Sequence, residues 1–215
     1  MYKLVIFDLD GTLLNTLGDL AGAGNYALSQ LGYPVHPTDA YRYFVGNGIP
    51  ILIHRILPEG HTDEQHKKCY DIFNEYYSAH KTDLTVPYDG IRELLKRLNE
   101  RGIICAVNTN KAHEFSSELI KNAFGDNIRH IIGFGAGHPA KPDPSAALEL
   151  IRRSGVQPSE AIYVGDSSVD MQTAANAGID ACAVLWGFRD IEELSAYHPA
   201  HIVSSAEELL TVITE

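Results

Sequence analysis

The feature that most constrains this chain is an alternation of short apolar runs with helix-period segments after residue 85. The runs are flanked by Gly, Asp or Asn, which is typical of strands covered on both faces. Between them, apolar residues recur at helical spacing until a glycine ends the segment, as Gly102 and Gly155 do. The predicted strands cover residues 103–107, 130–134, 161–164 and 181–185.

This alternation predicts an α/β fold, because a strand, a helix and a second parallel strand form the repeating unit of such sheets. Residues 4–7 (Leu-Val-Ile-Phe) supply a further strand of the same kind at the start of the sequence. We therefore predict a doubly wound, Rossmann-like parallel sheet with helices on both faces.

Residues 16 to 82 do not follow this rhythm, and their apolar spacing predicts four helices instead. The last of these begins with a capping box, in which Thr62 is the N-cap and Gln65 lies three residues on. A helical block placed directly after the first strand is best interpreted as a separate lid. The predicted division is a core of residues 1–14 and 83–215 and a helical cap of residues 15–82.

The composition and charge of the chain limit the kinds of molecule that it is expected to bind. The net charge is −11, and no dense cluster of Lys and Arg is present, which argues against nucleic acid and anionic membranes. No segment reaches the ~20 apolar residues that span a bilayer, and the first apolar run meets Asp8 too soon for a secretory signal. The three cysteines are far apart, so we expect reduced thiols and a cytoplasmic protein. The oligomeric state is not readable from the sequence.

The first chemical motif is Asp8-Leu9-Asp10-Gly11-Thr12, directly after the first strand. Residues i and i+2 of an extended chain point to the same side, so Asp8 and Asp10 are expected to face one another. Ligands bind at the carboxyl edge of open α/β sheets. Taken alone, the motif also fits a turn, because Asp and Gly are common in turns.

The second motif, Gly165-Asp166-Ser167-Ser168-Val169-Asp170, follows another predicted strand. Asp166 and Asp170 share a face if a helix starts between them, although helix capping alone would also explain an acidic residue there. Acid pairs at the ends of two parallel strands indicate a hard divalent cation with oxygen ligands, and Mg²⁺ fits best.

Two further segments are weaker signals. Asn108-Thr109-Asn110-Lys111 follows a strand, where a hydroxyl and backbone N–H groups can hold a phosphoryl oxygen. Lys141 lies in a Lys-Pro-Asp-Pro loop whose prolines fix its position, so its ammonium can offset charge between carboxylates and a phosphoryl group. Either segment alone would more often be a polar surface loop.

Together, in this order, the four segments resemble the haloacid dehalogenase superfamily of phosphatases, and the helical insertion resembles its helical-cap branch. The resemblance covers the whole chain. Softer similarities point to its phosphoglycolate phosphatases: Val45-Gly46-Asn47-Gly48 followed by Arg55, and residues 184–188. The chain departs from that group in having Asn15-Thr16 in place of Asp-Ser, and Gly18 where Pro is common.

The resemblance implies a mechanism and a set of roles. Asp8 would be the nucleophile that forms an aspartyl-phosphate, and Asp10 would be the general acid and base. The implied Mg²⁺ ligands are Asp8, Asp10 through its backbone carbonyl, Asp166 and, near or in the second shell, Asp170. The residues assigned to the phosphoryl group and the rest of the substrate are Gly11, Thr12, Asn47, Thr109, Asn110 and Lys141.

The expected reaction is hydrolysis of a small phosphorylated metabolite such as 2-phosphoglycolate. A phosphomutase of the same superfamily, of the β-phosphoglucomutase type, also uses the two aspartates, and a pyrophosphatase is a further alternative. A non-enzymatic acidic-pocket signalling module is the remote alternative, against which the helical insertion and Asp10 count.

Overall fold

The apolar runs of the sequence form the strands of a central sheet in the computed structural model, which describes residues 1–215. The strands, in chain order, are β1 (Leu4–Phe7), β2 (Leu14–Asn15), β3 (Val86–Pro87), β4 (Ile104–Ala112), β5 (His130–Phe134), β6 (Ala161–Gly165), β7 (Asp180–Val184) and β8 (His201–Val203). Six of them form one sheet in the order β5-β4-β1-β6-β7-β8, and all neighbours are parallel.

Ten α-helices connect and cover these strands. In chain order they are α1 (Leu17–Gln30), α2 (Tyr41–Phe44), α3 (Ile49–Ile56), α4 (Asp63–His80), α5 (Ile91–Glu100), α6 (His113–Phe124), α7 (Ser145–Ser154), α8 (Ser168–Ala177), α9 (Ile191–Ser195) and α10 (Ala206–Thr214). Short 3₁₀ turns lie at Thr38–Ala40, Gly125–Asn127 and Pro158–Glu160.

Strand β1 lies in the middle of the sheet and is fully buried. Successive side chains of a strand point to opposite faces, so Val5 and Phe7 join one apolar cluster with α5, α6 and α10. Leu4 and Ile6 join the other cluster, with α7, α8 and α9. Helices therefore cover both faces, which confirms the predicted α/β architecture.

Helices α1 to α4, called the cap helices below (residues 17–80), pack around a third apolar cluster, to which the core contributes Phe188. Its largest buried side chains include Tyr41, Phe73 and Tyr77. Helix α4 begins with the predicted capping box, in which Thr62 Oγ1 accepts from the Gln65 N–H and the Gln65 side chain accepts from the Thr62 N–H. The separate cluster supports the predicted division into core and cap, whose boundaries stay a prediction.

The chain leaves the core and returns to it at one place. Strand β2 on the way out pairs antiparallel with β3 on the way back. Nearby, the buried Asp19 carboxylate of α1 accepts hydrogen bonds from the N–H groups of Leu84 and Thr85 and from the Thr85 hydroxyl, at 2.7–3.2 Å. A Cβ atom at Gly18 would lie 2.9 Å from Leu84 Cδ1, so the crossing favours glycine at this position.

The structure differs from the sequence-based expectation in several elements. Strand β4 runs on to Ala112, so Thr109, Asn110 and Lys111 lie in its last part and not in a turn after residue 107. The short strands β2, β3 and β8 were not predicted, because two or three residues carry no periodic signal.

None of the helices combines the length and apolar character that crossing a bilayer requires. All three cysteines are free and buried, as predicted.

Candidate active site

The motifs meet because three neighbouring strands end at the same edge of the sheet. Asp8 follows β1, Asp166 follows β6, and the register of these strands pairs Phe7 with Val164. On the other side of β1, the last part of β4 carries Thr109, Asn110 and Lys111. This edge is where open α/β sheets bind their ligands.

Three carboxylates form the centre of the site. Oxygen atoms of Asp8, Asp166 and Asp170 lie within 4.8 Å of one another, and all three residues are buried. The Lys141 ammonium lies 2.8 Å from Asp8 Oδ1 and 2.6 Å from Asp170 Oδ1. It is directed so that only Asp170 accepts a hydrogen bond, which leaves Asp8 Oδ1 buried with no hydrogen-bond partner.

Burial controls the protonation of this cluster. It raises the pKa of Asp8 to about 7, a shift that the Lys141 ammonium opposes and the Asp170 carboxylate reinforces. Burial likewise raises the pKa of Asp166 to about 8, and the charges of Asp170 and Asp8 add to this shift. Burial alone would lower the pKa of Lys141, but Asp170 and Asp8 hold it well above its usual value. The cluster therefore has an excess of negative charge that one lysine does not neutralise.

Hydrogen bonds fix the two aspartates that follow β6. Asp166 Oδ1 accepts from the Thr12 hydroxyl at 3.0 Å, and Asp166 Oδ2 accepts from the Phe188 N–H at 2.7 Å. Asp170 Oδ2 accepts from the N–H and hydroxyl of Ser167, which completes a capping box at the start of α8. Asp170 thus has both oxygens engaged, one by Lys141 and one by Ser167.

Gly11 and Thr12, predicted as substrate contacts, lie against Asp166 in this structure. The Gly11 N–H donates to the Leu14 carbonyl at 2.9 Å, and a Cβ atom at Gly11 would lie 2.2 Å from Asp166 Oδ2. Only a glycine allows the loop after β1 to approach Asp166 so closely. The Thr12 side chain orients the same carboxylate.

Asp10 lines the cavity and pairs with Lys111, which was not among the predicted site residues. Lys111 Nζ lies 3.0 Å and 3.2 Å from the two Asp10 carboxylate oxygens, and it also lies 4.8 Å from the centre of the Tyr77 ring on α4. Lys111 is almost fully buried. Burial would lower the pKa of Lys111, but Asp10 and the Tyr77 hydroxyl raise it above its usual value.

The predicted phosphoryl-binding residues differ in what their side chains contact. The Thr109 hydroxyl accepts from the Lys111 N–H at 3.2 Å and lines the cavity. The Asn110 side chain is engaged elsewhere: it bonds to the backbone of Lys141 and donates to the Gly46 carbonyl of the cap helices at 3.0 Å. Asn110 therefore connects the core with the loop between α2 and α3.

That loop carries Asn47, whose side chain accepts from Arg55 Nη2 at 2.9 Å and does not line the cavity. Its neighbours Gly46 and Gly48 do line it, and both have positive φ angles, of 119° and 84°. The backbone of this loop, and not the Asn47 side chain, faces the cavity that Asp8 and Asp10 also line.

The cavity between core and cap is small, with a volume of about 30 Å³. Its core wall is polar, whereas its cap wall is mostly aliphatic. The lining residues are Asp8, Asp10, Thr109, Asn110 and Lys111 from the core, and Leu20, Val45, Gly46, Gly48, Ile49 and Leu52 from the cap helices.

The donor set fits a magnesium ion. Mg²⁺ binds oxygen ligands, usually one or two carboxylates with waters and substrate phosphate. Asp8 and Asp166 supply buried carboxylates, and Asp8 Oδ1 is a buried acceptor without a hydrogen bond. A cation there would also offset the negative charge that raises both pKa values.

Comparison with known proteins agrees with this geometry. A family model described as haloacid dehalogenase-like hydrolase matches residues 5–184. The chain belongs to this family. The matched range includes both aspartate motifs, Lys141 and the cap helices, which confirms the family that the motifs predicted.

Individual members of the family are similar over most of their length. The chain is 37% identical over 214 residues to a phosphoglycolate phosphatase of Pseudomonas savastanoi pv. phaseolicola, covering 97% of this chain and 78% of that protein. It is 34% identical to a phosphoglycolate phosphatase of Vibrio parahaemolyticus, covering 98% and 96%.

Solved structures of this hydrolase family agree. A crystal structure from Lactobacillus delbrueckii subsp. bulgaricus, described as a candidate phosphoglycolate phosphatase, superposes with a TM-score of 0.94 at 32% identity, covering 99% of this chain and 98% of that one. A second, from Haemophilus somnus and described as a predicted phosphoglycolate phosphatase, gives 0.90 at 27% identity, with coverages of 98% and 97%. The relatives confirm the predicted enzyme class, a phosphatase-type hydrolase.

Proposed function

We propose that this hydrolase removes the phosphoryl group from a small phosphomonoester, with Mg²⁺ as cofactor and Asp8 as nucleophile. The observation that carries the proposal is the placement of Asp8: its buried carboxylate lines the cavity between core and cap, and the Lys141 ammonium lies 2.8 Å from Oδ1. The adjacent ammonium favours the ionised carboxylate that attack on phosphorus requires.

In the first half of the reaction, an Asp8 oxygen forms a bond to phosphorus while the bond from phosphorus to the leaving oxygen breaks. Asp10 enters this step protonated and gives its proton to that oxygen, and an alcohol leaves. In the second half, Asp10 takes a proton from water, the water oxygen bonds to phosphorus, and the bond to Asp8 breaks. Inorganic phosphate leaves and both aspartates return to their starting states.

Several groups of this chain would stabilise the transferred phosphoryl group. Lys141 supplies a fixed positive charge next to Asp8, and Thr109 offers a hydroxyl on the same cavity wall. Lys111 orients the Asp10 carboxylate by an ion pair. Mg²⁺ would be held by Asp8, Asp166 and the Asp10 backbone carbonyl, with Asp170 behind Lys141, and would neutralise charge on the phosphoryl oxygens.

We propose 2-phosphoglycolate as the preferred substrate. The named relatives support this choice. The start of α3 lines the cavity at Gly48 and Ile49, and the first N–H groups of a helix have no partner within the helix. These N–H groups offer the positive potential that a carboxylate needs.

The test is phosphate release from 2-phosphoglycolate, sugar phosphates and pyrophosphate, each with Mg²⁺ and with excess chelator. Asp8→Asn is the inactive variant, and Asp83→Asn, an exposed aspartate outside the cavity, is the matched control. We expect Mg²⁺-dependent release that Asp8→Asn abolishes and Asp83→Asn retains. Activity on pyrophosphate or one sugar phosphate alone would reject phosphoglycolate, and isomerised sugar phosphate without release would identify a mutase. Full activity in Asp8→Asn would reject the mechanism.

A further inference from the structure

The segment after β7, from Trp186 to Arg189, contacts both the carboxylate cluster and the cap helices. Its Phe188 N–H donates to Asp166 Oδ2 at 2.7 Å. The Phe188 side chain is 5% exposed and belongs to the apolar cluster of the cap helices. One residue of the core thus has its backbone on a proposed metal ligand and its ring inside the cap.

Two arginines join this segment to the cap from opposite directions. Arg42 of α2 donates from Nε to the Phe188 carbonyl at 3.1 Å and from Nη2 to the Gly187 carbonyl at 2.9 Å. Arg189 of the core donates to the carbonyls of Arg42 and Val45, the latter at 2.9 Å. Since each arginine binds backbone of the other side, neither set of bonds forms unless the cap lies against the core.

Each arginine binds the backbone of a residue that adjoins the cavity or the carboxylate cluster. Val45, whose carbonyl Arg189 holds, lines the cavity. Gly187, whose carbonyl Arg42 holds, lies so near the metal cluster that a Cβ atom there would be 2.2 Å from Asp166 Cβ. A shift of this segment is therefore transmitted directly to Asp166.

We propose that Arg42 and Arg189 are positioning residues which couple closure of the cap to the orientation of Asp166. When the cap closes, the two guanidinium groups fix the backbone of residues 187–189, and the Phe188 N–H then holds Asp166 in place. When the cap opens, Asp166 keeps the Thr12 hydroxyl but loses the fixed position of its second donor. The metal-binding carboxylate is thus fully oriented only in the closed state.

The expected size follows from other metal sites, where loss of a group that orients a ligand lowers metal affinity by about 10–100-fold. We expect a loss of at least about 10-fold in Mg²⁺ affinity for Arg189→Gln and for Arg42→Gln. Because the two arginines act on one segment, the double variant should lose little more than either single variant. Arg189→Lys keeps the positive charge but replaces the planar guanidinium by a single ammonium. Its loss of Mg²⁺ affinity should therefore lie between that of Arg189→Gln and the parent.

Trp186 provides the reporter. It is the only tryptophan of the chain, it lies next to Gly187, and its indole N–H donates to the Thr12 carbonyl at 3.0 Å. Its fluorescence can be followed during a Mg²⁺ titration of the complete protein without any turnover. Arg97→Gln, which removes an exposed ion pair to Glu207, is the matched control and should titrate as the parent does.

The kinetic part of this inference rests on the proposed function. If the protein is the Mg²⁺-dependent phosphatase proposed above, excess Mg²⁺ should recover most of the kcat that Arg189→Gln loses.

A second measurement does not depend on metal or activity. In the metal-free protein, Arg42→Gln should speed hydrogen exchange of the peptide that contains the Phe188 amide by at least about 10-fold. Faster exchange supports the coupling even if no substrate is found. Unchanged exchange, or a lower melting temperature with unaltered Mg²⁺ affinity, would mean that the arginines only stabilise the fold, and additive losses in the double variant would overturn their joint action.

Discussion

The core wall of the cavity between core and cap carries buried charges, whereas the cap wall is made of aliphatic side chains and two glycines. On the core side, Asp8, Asp166 and Asp170 are fixed by strand ends, by Lys141 and by hydrogen bonds. On the cap side, the cavity is lined by the uncharged, apolar side chains of Val45, Ile49 and Leu52. Under the proposed function, the core performs the reaction and the cap selects the leaving group, so the two walls should respond differently to substitution.

The largest expected effect is on the core wall. Asp8→Asn removes the proposed nucleophile and should lower kcat by at least about 10⁴-fold, as loss of a nucleophile does in other enzymes. Since the change also removes one of three clustered negative charges, the metal-free protein should unfold at an equal or higher temperature. Phosphate release and thermal melting measure the two quantities. A parallel fall in both would indicate misfolding and not loss of a catalytic group.

Lys141→Ala, which acts directly behind the core wall through Asp8, should be the most destabilising change. It leaves the Asp8 and Asp170 carboxylates buried without their cation, and breaking a buried ion pair costs about 3–5 kcal/mol. The free energy of unfolding, measured with urea, tests this value. Lys67→Ala, which breaks an exposed ion pair to Asp71, is the control and should cost less than about 1 kcal/mol. Equal losses of unfolding free energy in the two variants would contradict the inference that burial makes the Lys141 ion pairs matter more for stability.

The pH dependence of stability should also come from the core wall. The folded pKa values of Asp8 and Asp166, about 7 and about 8, lie above the ordinary carboxyl value, so the folded protein keeps protons that the unfolded chain releases. This contribution is complete below about pH 4 and is lost as the pH rises through 7 and 8. Without metal, the free energy of unfolding should fall by about 2 kcal/mol between pH 6 and pH 7.

Urea unfolding at the two pH values, with chelator and with Mg²⁺, measures that slope. Mg²⁺ favours the ionised carboxylates, so its stabilising effect should grow with pH. A metal-free stability that rises from pH 6 to pH 7 would contradict the raised pKa values.

The smallest expected effect is on the cap wall. Ile49→Ala enlarges the cavity without removing a charge, so it should shift kcat/KM by about 10-fold in favour of a larger phosphomonoester over 2-phosphoglycolate. Ile51→Ala, on the same helix but exposed and outside the cavity, should leave the ratio unchanged. If Ile49→Ala lowered kcat for all substrates equally, the cap wall would take part in the reaction itself.

The sequence predicted the core wall better than the cap wall, for a physical reason. Asp8, Asp166 and Lys141 lie at strand ends or in a proline-fixed loop, and the topology of a parallel sheet brings such positions together. The ion pair between Lys111 and Asp10 was missed because it depends on the placement of β4 beside β1, although Lys111 is adjacent to the recognised residues. The engagement of Asn110 by Gly46 depends on how the cap lies on the core, which no periodic pattern encodes.

The pairing of β2 with β3 has a consequence for how such a chain can be rebuilt. Leu14 lies opposite Pro87 and Asn15 opposite Val86, so the helical block starts and ends on neighbouring backbones. Topologically the block is the connection of a hairpin, and the length of a connection costs folding free energy only logarithmically. The block can therefore be exchanged for a longer, shorter or unrelated insert while the ends remain where the sheet needs them. An enzyme built this way can acquire specificity for a new leaving group while its carboxylate cluster stays unchanged.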